Sequence, residues 1–353
     1  MKTQNFSGWH LLLTIAALLA LTAHNALHPL WNQVQIGMIQ WTQLNQLQAI
    51  TQWSLPVFVS LVGVIFLSSS QTWNTHTLWR RIIPITALSC VFWWCASAVL
   101  YLQQYFPNEM DLPTFSHCLS MVLSAPSNIG YCQMLVSMFM LYPLLRRIAQ
   151  DQHVLGYCLI TLFILNLLLP LLRHILVISI VSLFFDQLNW GFFHTWAFYL
   201  FLGAYLTKSM PSWPLRLTIY CLGIISTALT IALTSWMTKG GPGYFADFTG
   251  LHSPLTACQT AAVFLFASQF FRRFRLTHAV RTFAGLWMSV PVAFVVYSFT
   301  SRFLPIYNGF VPAYVFPHMF IDTLLTLLLT AAMNALPGFR CLVGYYQAEG
   351  EQR

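Results

Sequence analysis

The stretch "LTIAALLALTAHNALHPLW", Leu13–Trp31, is apolar enough to enter a membrane, yet His24 and His28 stand one helical turn apart near its far end. A crossing helix needs about 20 mostly apolar residues, and an ionisable side chain inside it is costly. Lys2 ahead of this run would also open a signal peptide. The apolar character, however, continues past Ala23 to Trp31 with no clear A-x-A site after it, so the segment reads as a retained span.

The rest of the chain repeats the pattern. Of 353 residues, 58% are hydrophobic and only 7% charged, where a soluble domain carries about 25% charged residues. Long apolar runs without alternation argue for helices and against a barrel. The reading is an all-α, polytopic transmembrane helical bundle of about ten spans, at roughly 9–31, 54–70, 82–103, 127–145, 154–172, 190–207, 217–237, 254–271, 283–300 and 312–336. "HILVISIVSLFF", 174–185, is too short to cross alone and reads as interfacial, re-entrant or a continuation of the fifth helix. One membrane domain, 1–345, is followed by a short cytoplasmic tail, 346–353.

Charge placement orients the bundle. Arg80, Arg81, Arg146, Arg147, Lys208, Arg216, Arg272, Arg273, Arg275 and Arg281 fall in the even loops; Lys2, Arg340 and Arg353 join them at the termini. The odd loops hold only Arg173, Lys239 and Arg302. The positive-inside rule then puts both termini in the cytoplasm. With no soluble domain to present a basic face, a nucleic-acid partner is excluded; the lipid bilayer is the partner expected, with anionic headgroups near the basic loops. The eight cysteines show no C-x-x-C pair and read as packing residues. No metal site is visible. Outside the spans, "WNQVQIGMIQWTQLNQLQAITQW", 31–53, is uncharged and reads as lying along the outer interface, where tryptophan is favoured. "KGGPGYFADFTGLHSP", 239–254, reads as an ordered outer loop.

Ionisable groups inside spans are where chemistry is expected. His24 and His28 share a helix face. In "YVFPHMFIDTLL", His318 and Asp322 repeat that spacing, and Asp322 is the only acidic residue deep within a span; His194 lies near the start of the sixth. At 1.5 Å per residue, His24 stands about 10 Å, and His318 and Asp322 roughly 10–17 Å, below the outer boundary, so the two pairs can meet if their helices are neighbours. A histidine oriented by a carboxylate can take a proton from a hydroxyl. The bland reading of such a pair is a polar staple between helices, worth about 0.6 kcal/mol per bond. It is preferred for His28, which borders the interface beside Pro29. Haem would need matching histidines on two helices, which nothing here specifies. The GGPG at 240–243 lacks the Lys-Ser/Thr of a phosphate loop.

The order of segments resembles the bacterial integral-membrane acyltransferase-3 family, in particular its enterobacterial common antigen O-acetyltransferase branch. The segments that carry it, over about residues 9–300, are the histidine ending the first helix, "LPVFVSLVGVIFLSS" at 55–69, "LWRRIIPI" at 78–85, "DLPTFSHCLSMVLSAPSNIGYCQMLVSMFMLYPLLRRI" at 111–148, "FYLFLGAYL" at 198–206 and "SPLTACQTAAVFLFASQFF" at 253–271. The resemblance implies a multi-pass protein of the bacterial inner membrane that transfers an acyl group, usually acetyl from acetyl-CoA, to a hydroxyl of a cell-surface glycan or lipid-linked sugar, with no metal. It gives His24 the role of general base, Asp322 or His318 that of orienting or relaying group, and Arg80 and Arg81 a place near the donor's phosphates. It leaves room for a homo-oligomer or a glycan-pathway partner. The chain departs from the family where Leu13 replaces an arginine, His10 an acidic residue, Asn128 a histidine, and Trp287–Pro291 a histidine-containing motif. Two other functions fit the same sequence: an accessory or binding protein that kept the fold and lost the chemistry, and a proton-coupled transporter or flippase with Asp322 as its proton site.

Overall fold

A computed structural model of the chain describes residues 8–32, 34–35, 38–68, 74–105, 128–171, 195–208, 211–240, 248–271, 288–304, 309–336 and 339–343. The expected segment 174–185, His194, the basic residues 272–281 and the tail 346–353 lie outside them. Every regular element among the described residues is helical.

The opening stretch forms α1 (Gly8–Leu27), which tightens into a 3-10 turn, His28–Asn32, at Pro29. Two helices follow almost end to end, α2 (Ile39–Thr51) and α3 (Ser54–Leu67). The break between them falls at Gln52–Trp53 because Pro56 has no N–H to give the Gln52 carbonyl. A π-helical segment, Leu78–Ile82, leads into α4 (Ile83–Tyr105). Next come α5 (Asn128–Met140), α6 (Tyr142–Gln150) and α7 (Gln152–Phe163), the last running on through π-helical Ile164–Leu168. The remaining helices are α8 (Thr195–Lys208), α9 (Trp213–Gly240), α10 (Pro254–Phe270), α11 (Ser289–Thr300) and α12 (Val311–Ala335), with a 3-10 turn at Arg340–Val343.

Six stretches are long and apolar enough to cross a membrane: 8–31, 39–67, 75–100, 152–171, 213–239 and 311–335. The chain is therefore a helical membrane protein. The spans expected at 127–145, 190–207, 254–271 and 283–300 correspond to shorter described helices, α5, α8, α10 and α11. Along α4, Leu100, whose carbonyl accepts a bond from Arg302, lies twenty residues from Arg80. That is about 30 Å of helix, one hydrocarbon thickness.

Packing inside the bundle depends on small residues, as expected where the hydrophobic effect does not drive helices together. α3 and α8 cross backbone to backbone: a Cβ added at Gly63 would stand 2.0 Å from the Leu200 carbonyl oxygen, and one at Gly203 would stand 2.0 Å from that of Ser60. α9 approaches α10 at Gly223, where an added Cβ would lie 2.5 Å from Ala262 Cβ.

The Gln- and Asn-rich stretch corrects its expected placement. Its second half is not an interfacial strip but α2, packed into the bundle with Trp41, Leu44, Asn45, Gln48 and Ala49 buried. Asn45 Nδ2 donates to the Ile231 carbonyl and Ser235 Oγ, both at 3.0 Å. Gln52 Nε2 reaches Gln259 Oε1 at 3.0 Å and Thr230 Oγ1 at 3.3 Å, and Gln259 Nε2 reaches Thr227 Oγ1 at 3.0 Å. The NH2 groups of Asn45 and Gln52 are taken up by α9 and α10, while their carbonyl oxygens have no partner, so this composition marks a polar seam between helices.

Candidate functional site

α12 is cut by Pro317, which leaves the Ala313 carbonyl without its helical donor one residue before His318. Four residues on, Asp322 shares the face of His318, about 16 Å from the start of the helix and close to the middle of its length. Both side chains are buried, His318 1% and Asp322 0% exposed.

His318 Nδ1 lies 3.0 Å from Asp322 Oδ2, and the Thr300 hydroxyl donates to Asp322 Oδ1 at 2.6 Å. With the Asp322 carboxylate as its acceptor, Nδ1 donates and Nε2 is the ring nitrogen left to act elsewhere. That atom is buried and has no hydrogen-bond partner. Two tyrosines close the other sides of the ring, Tyr297 at 5.2 Å and Tyr314 at 4.9 Å between centroids, their hydroxyls hydrogen-bonded to each other. The result is an imidazole fixed by a carboxylate that is itself fixed by a hydroxyl. This is the base-and-orienter arrangement of acid–base sites.

The neighbour relation on which the sequence reading depended holds. α1 packs antiparallel against α12, with Thr22 Oγ1 3.0 Å from Thr323 Oγ1 and 3.1 Å from the Met319 carbonyl. This register brings His24 level with Met319, beside His318 in depth. The two pairs nevertheless do not join. The contact face carries Thr22, Ala23, Ala26 and Leu27 of α1 and Leu30 of the 3-10 turn, and at 100° per residue His24 points well round from its centre. His24 makes no hydrogen bond to His318 or Asp322 among the described residues; it is half-buried, with Nδ1 inside the protein and unpartnered. His28 is exposed in the 3-10 turn, as its place beside Pro29 implied.

Arg80 and Arg81 are exposed on the π-helical segment that precedes α4. The buried arginine is Arg146 of α6, 8% exposed, whose guanidinium bonds the Tyr142 hydroxyl and sits over its ring at 5.8 Å. Lys208, at the end of α8, donates to the Ala149 carbonyl of α6. α5 contacts the π-helical segment and α6, and α6 contacts α8. The sequence marked Arg146 only as a topology determinant; its i,i+4 relation to Tyr142 was the available signal.

An apolar groove of about 830 Å³ lies between α4, α11 and α12, with Phe92, Val99, Phe299, Leu325, Leu328 and Ala332 among its lining residues. Leu325 is one turn from Asp322 and Phe299 adjoins Thr300, so the groove runs beside the polar cluster. Tyr297, Thr300 and Tyr314 were missed by the sequence reading, which sought charge alone. Among the described residues no group of three His, Cys, Asp or Glu side chains is placed to hold a metal ion. No protein-family model, curated protein or solved structure matches the chain.

Proposed function

We propose that this chain is a membrane O-acyltransferase, moving an acyl group, most simply acetyl, from acyl-CoA to a hydroxyl of a glycan or lipid-linked sugar. The observation that carries the reading is the unpartnered Nε2 of His318, held by Asp322 and Thr300. A base needs an unengaged lone pair and is helped by an anchored second nitrogen, and this ring has both.

Acyl-CoA supplies the activated thioester. His318 Nε2 takes the proton of the acceptor hydroxyl as its oxygen bonds the acyl carbon, Asp322 steadies the imidazolium so formed, and the proton then passes to the departing thiolate. The cations of this chain suit the donor's phosphates: Arg80 and Arg81 are exposed on a segment that α5 joins to α6, which carries Arg146 and whose Ala149 carbonyl accepts from Lys208. Arginine forks match phosphate oxygens in pairs. The apolar groove beside Asp322 suits the hydrocarbon chain of a lipid-linked acceptor. The segment order resembling the acyltransferase-3 family and the basic loops facing the cytoplasm agree with a site in the bacterial inner membrane. His24, at the same depth on the next helix, lacks an orienting carboxylate among the described residues, and so stands second to His318 as base.

The test is acetyl-CoA binding and turnover by purified protein in lipid nanodiscs, wild type beside His318→Ala, Asp322→Asn, His24→Ala and Arg80→Ala/Arg81→Ala. Turnover lost in the first two supports the reading. Turnover lost only in His24→Ala transfers the base to α1, and absence of donor binding at millimolar acetyl-CoA overturns acyl transfer. The full burial of His318 and Asp322 favours one second reading, a proton-coupled carrier with Asp322 as its proton site; substrate movement driven by a pH gradient, with no acylated product, would identify it.

A further inference from the structure

The buried polar line of α12 does not end with His318 and Asp322. Thr326, Thr330 and Asn334 follow at the same four-residue step towards the end of the helix, the line turning about 40° round the axis at each step. Thr326 and Thr330 are 0% exposed, and their hydroxyls have no hydrogen-bond partner. Thr234 and Thr256 share this condition, but most buried threonines among the described residues are bonded. Thr323 on the same helix returns its hydroxyl to the Met319 carbonyl at 2.6 Å, and Thr22, Thr51, Thr207 and Thr230 likewise bond the carbonyl four residues back. That is how a threonine in a helix ordinarily satisfies itself. The two hydroxyls below Asp322 make no such bond. The antiparallel register fixed by Thr300 and Asp322 brings Ser289 of α11 level with Met333 and Asn334, and Ser289 Oγ is also buried and unpartnered.

We propose that this column is a proton path connecting the His318–Asp322 pair with the aqueous compartment that faces Asn334. Hydroxyls four residues apart on a helix stand about 6 Å from one another, so one water in each interval, about 2.8 Å from either oxygen, completes a chain of donors and acceptors. Each hydroxyl accepts a proton on its oxygen and passes its own onward, so the column moves charge without net chemistry. The route from Asp322 to Asn334 covers twelve residues, about 18 Å. At the opposite end the hydrogen-bonded Tyr297 and Tyr314 close over His318. The groups facing the pair are few among the described residues. α11 presents Tyr297, α12 itself Tyr314, α1 presents Thr22, and α2 contains no titratable residue. Arg340 of the final 3-10 turn stands at the far end, its Nε on the Asn334 carbonyl at 2.8 Å. The inference rests on the pair exchanging a proton, which acyl transfer also uses, and does not require that acyl transfer occur.

The experiment follows the carboxyl band of Asp322 by infrared difference spectroscopy, identified by its loss in Asp322→Asn. The full chain is placed in sealed liposomes of known orientation, and the pH is stepped on one side at a time. The band is expected to follow the compartment facing Asn334. In Thr326→Val/Thr330→Val the response slows by roughly tenfold or more, and Thr326→Ser/Thr330→Ser restores it. Thr323→Val, on the face towards α1, leaves it unchanged. A band that follows the opposite compartment, or an unaltered rate in the double valine variant with its helical circular dichroism intact, overturns the path. A band that responds to neither side overturns the path and the base together. A normal band with no acetyl-CoA turnover leaves the path standing and removes acyl transfer.

Discussion

His318 and Asp322 are four residues apart, both buried, and joined Nδ1 to Oδ2 at 3.0 Å, with Thr300 of the preceding helix holding the second carboxylate oxygen at 2.6 Å. The spacing was set by sequence; the third member came from another helix. Asp322→Asn preserves size and removes the charge that anchors the ring. Acetyl transfer by the variant is expected to fall by about 10²–10⁴, the usual worth of a positioned base. Turnover measured against donor concentration in nanodiscs checks this, with size-exclusion elution unchanged. Thr300→Val, which loses only the carboxylate's second partner, should cost less.

The crossing of α3 and α8 tolerates no side chain at Gly63 or Gly203, because the facing groups are backbone carbonyls that cannot turn aside. Gly63→Ala is expected to lower stability by about 1–3 kcal/mol, the range for overpacking. Thermal unfolding in detergent reads it, and the control is Gly250→Ala. There the space is open and only the positive φ of 83° resists, so a smaller loss is expected.

The polar seam between α2, α9 and α10 should behave as a set of weak staples. A double-mutant cycle over Gln52→Leu and Gln259→Leu is expected to return a coupling near 0.6 kcal/mol, the average for such bonds within a membrane. Urea unfolding in mixed micelles measures it. A coupling indistinguishable from zero would place these amides against lipid or water instead.

Asp151 caps α7 by accepting from the backbone N–H groups of Val154 at 3.2 Å and His153 at 2.9 Å, and those donors hold its carboxyl below the usual carboxylate range. The ionised form is the one favoured by folding. Its stabilisation is therefore present above the unfolded-state pKa and lost as pH falls through the lower folded value. The unfolding temperature should drop on acidification more steeply in wild type than in Asp151→Asn, which keeps the cap and lacks the charge.

Single cysteines introduced into a cysteine-free background at Asn74 and Lys239 test the charge-based topology. A membrane-impermeant thiol reagent applied to intact cells should label position 239 and spare position 74. The reverse pattern would invert the bundle and with it the side from which an acyl donor could approach.

The membrane class was legible because apolar length is a one-dimensional property: a run such as 13–31 must find hydrocarbon or a protein interior wherever its neighbours lie. The His318–Asp322 pair was legible for the same reason, since helical periodicity alone brings residues four apart together. Where partners come from other helices the sequence was silent or misleading. Thr300 lies 22 residues from Asp322 and no local pattern singles it out. The uncharged, tryptophan-bearing stretch 31–53 resembled an interfacial strip because composition records that hydrogen bonds are needed, not which helix supplies them. The register of α1 on α12 brings His24 level with Met319, yet level does not fix rotation, and packing of Thr22, Ala23 and Ala26 against α12 turned His24 away. The sequence by itself determined which segments are helical and apolar and which ionisable groups they carry. Only the tertiary structure decided which of those groups meet, because a side chain's partner is set by the azimuth at which two helices pack.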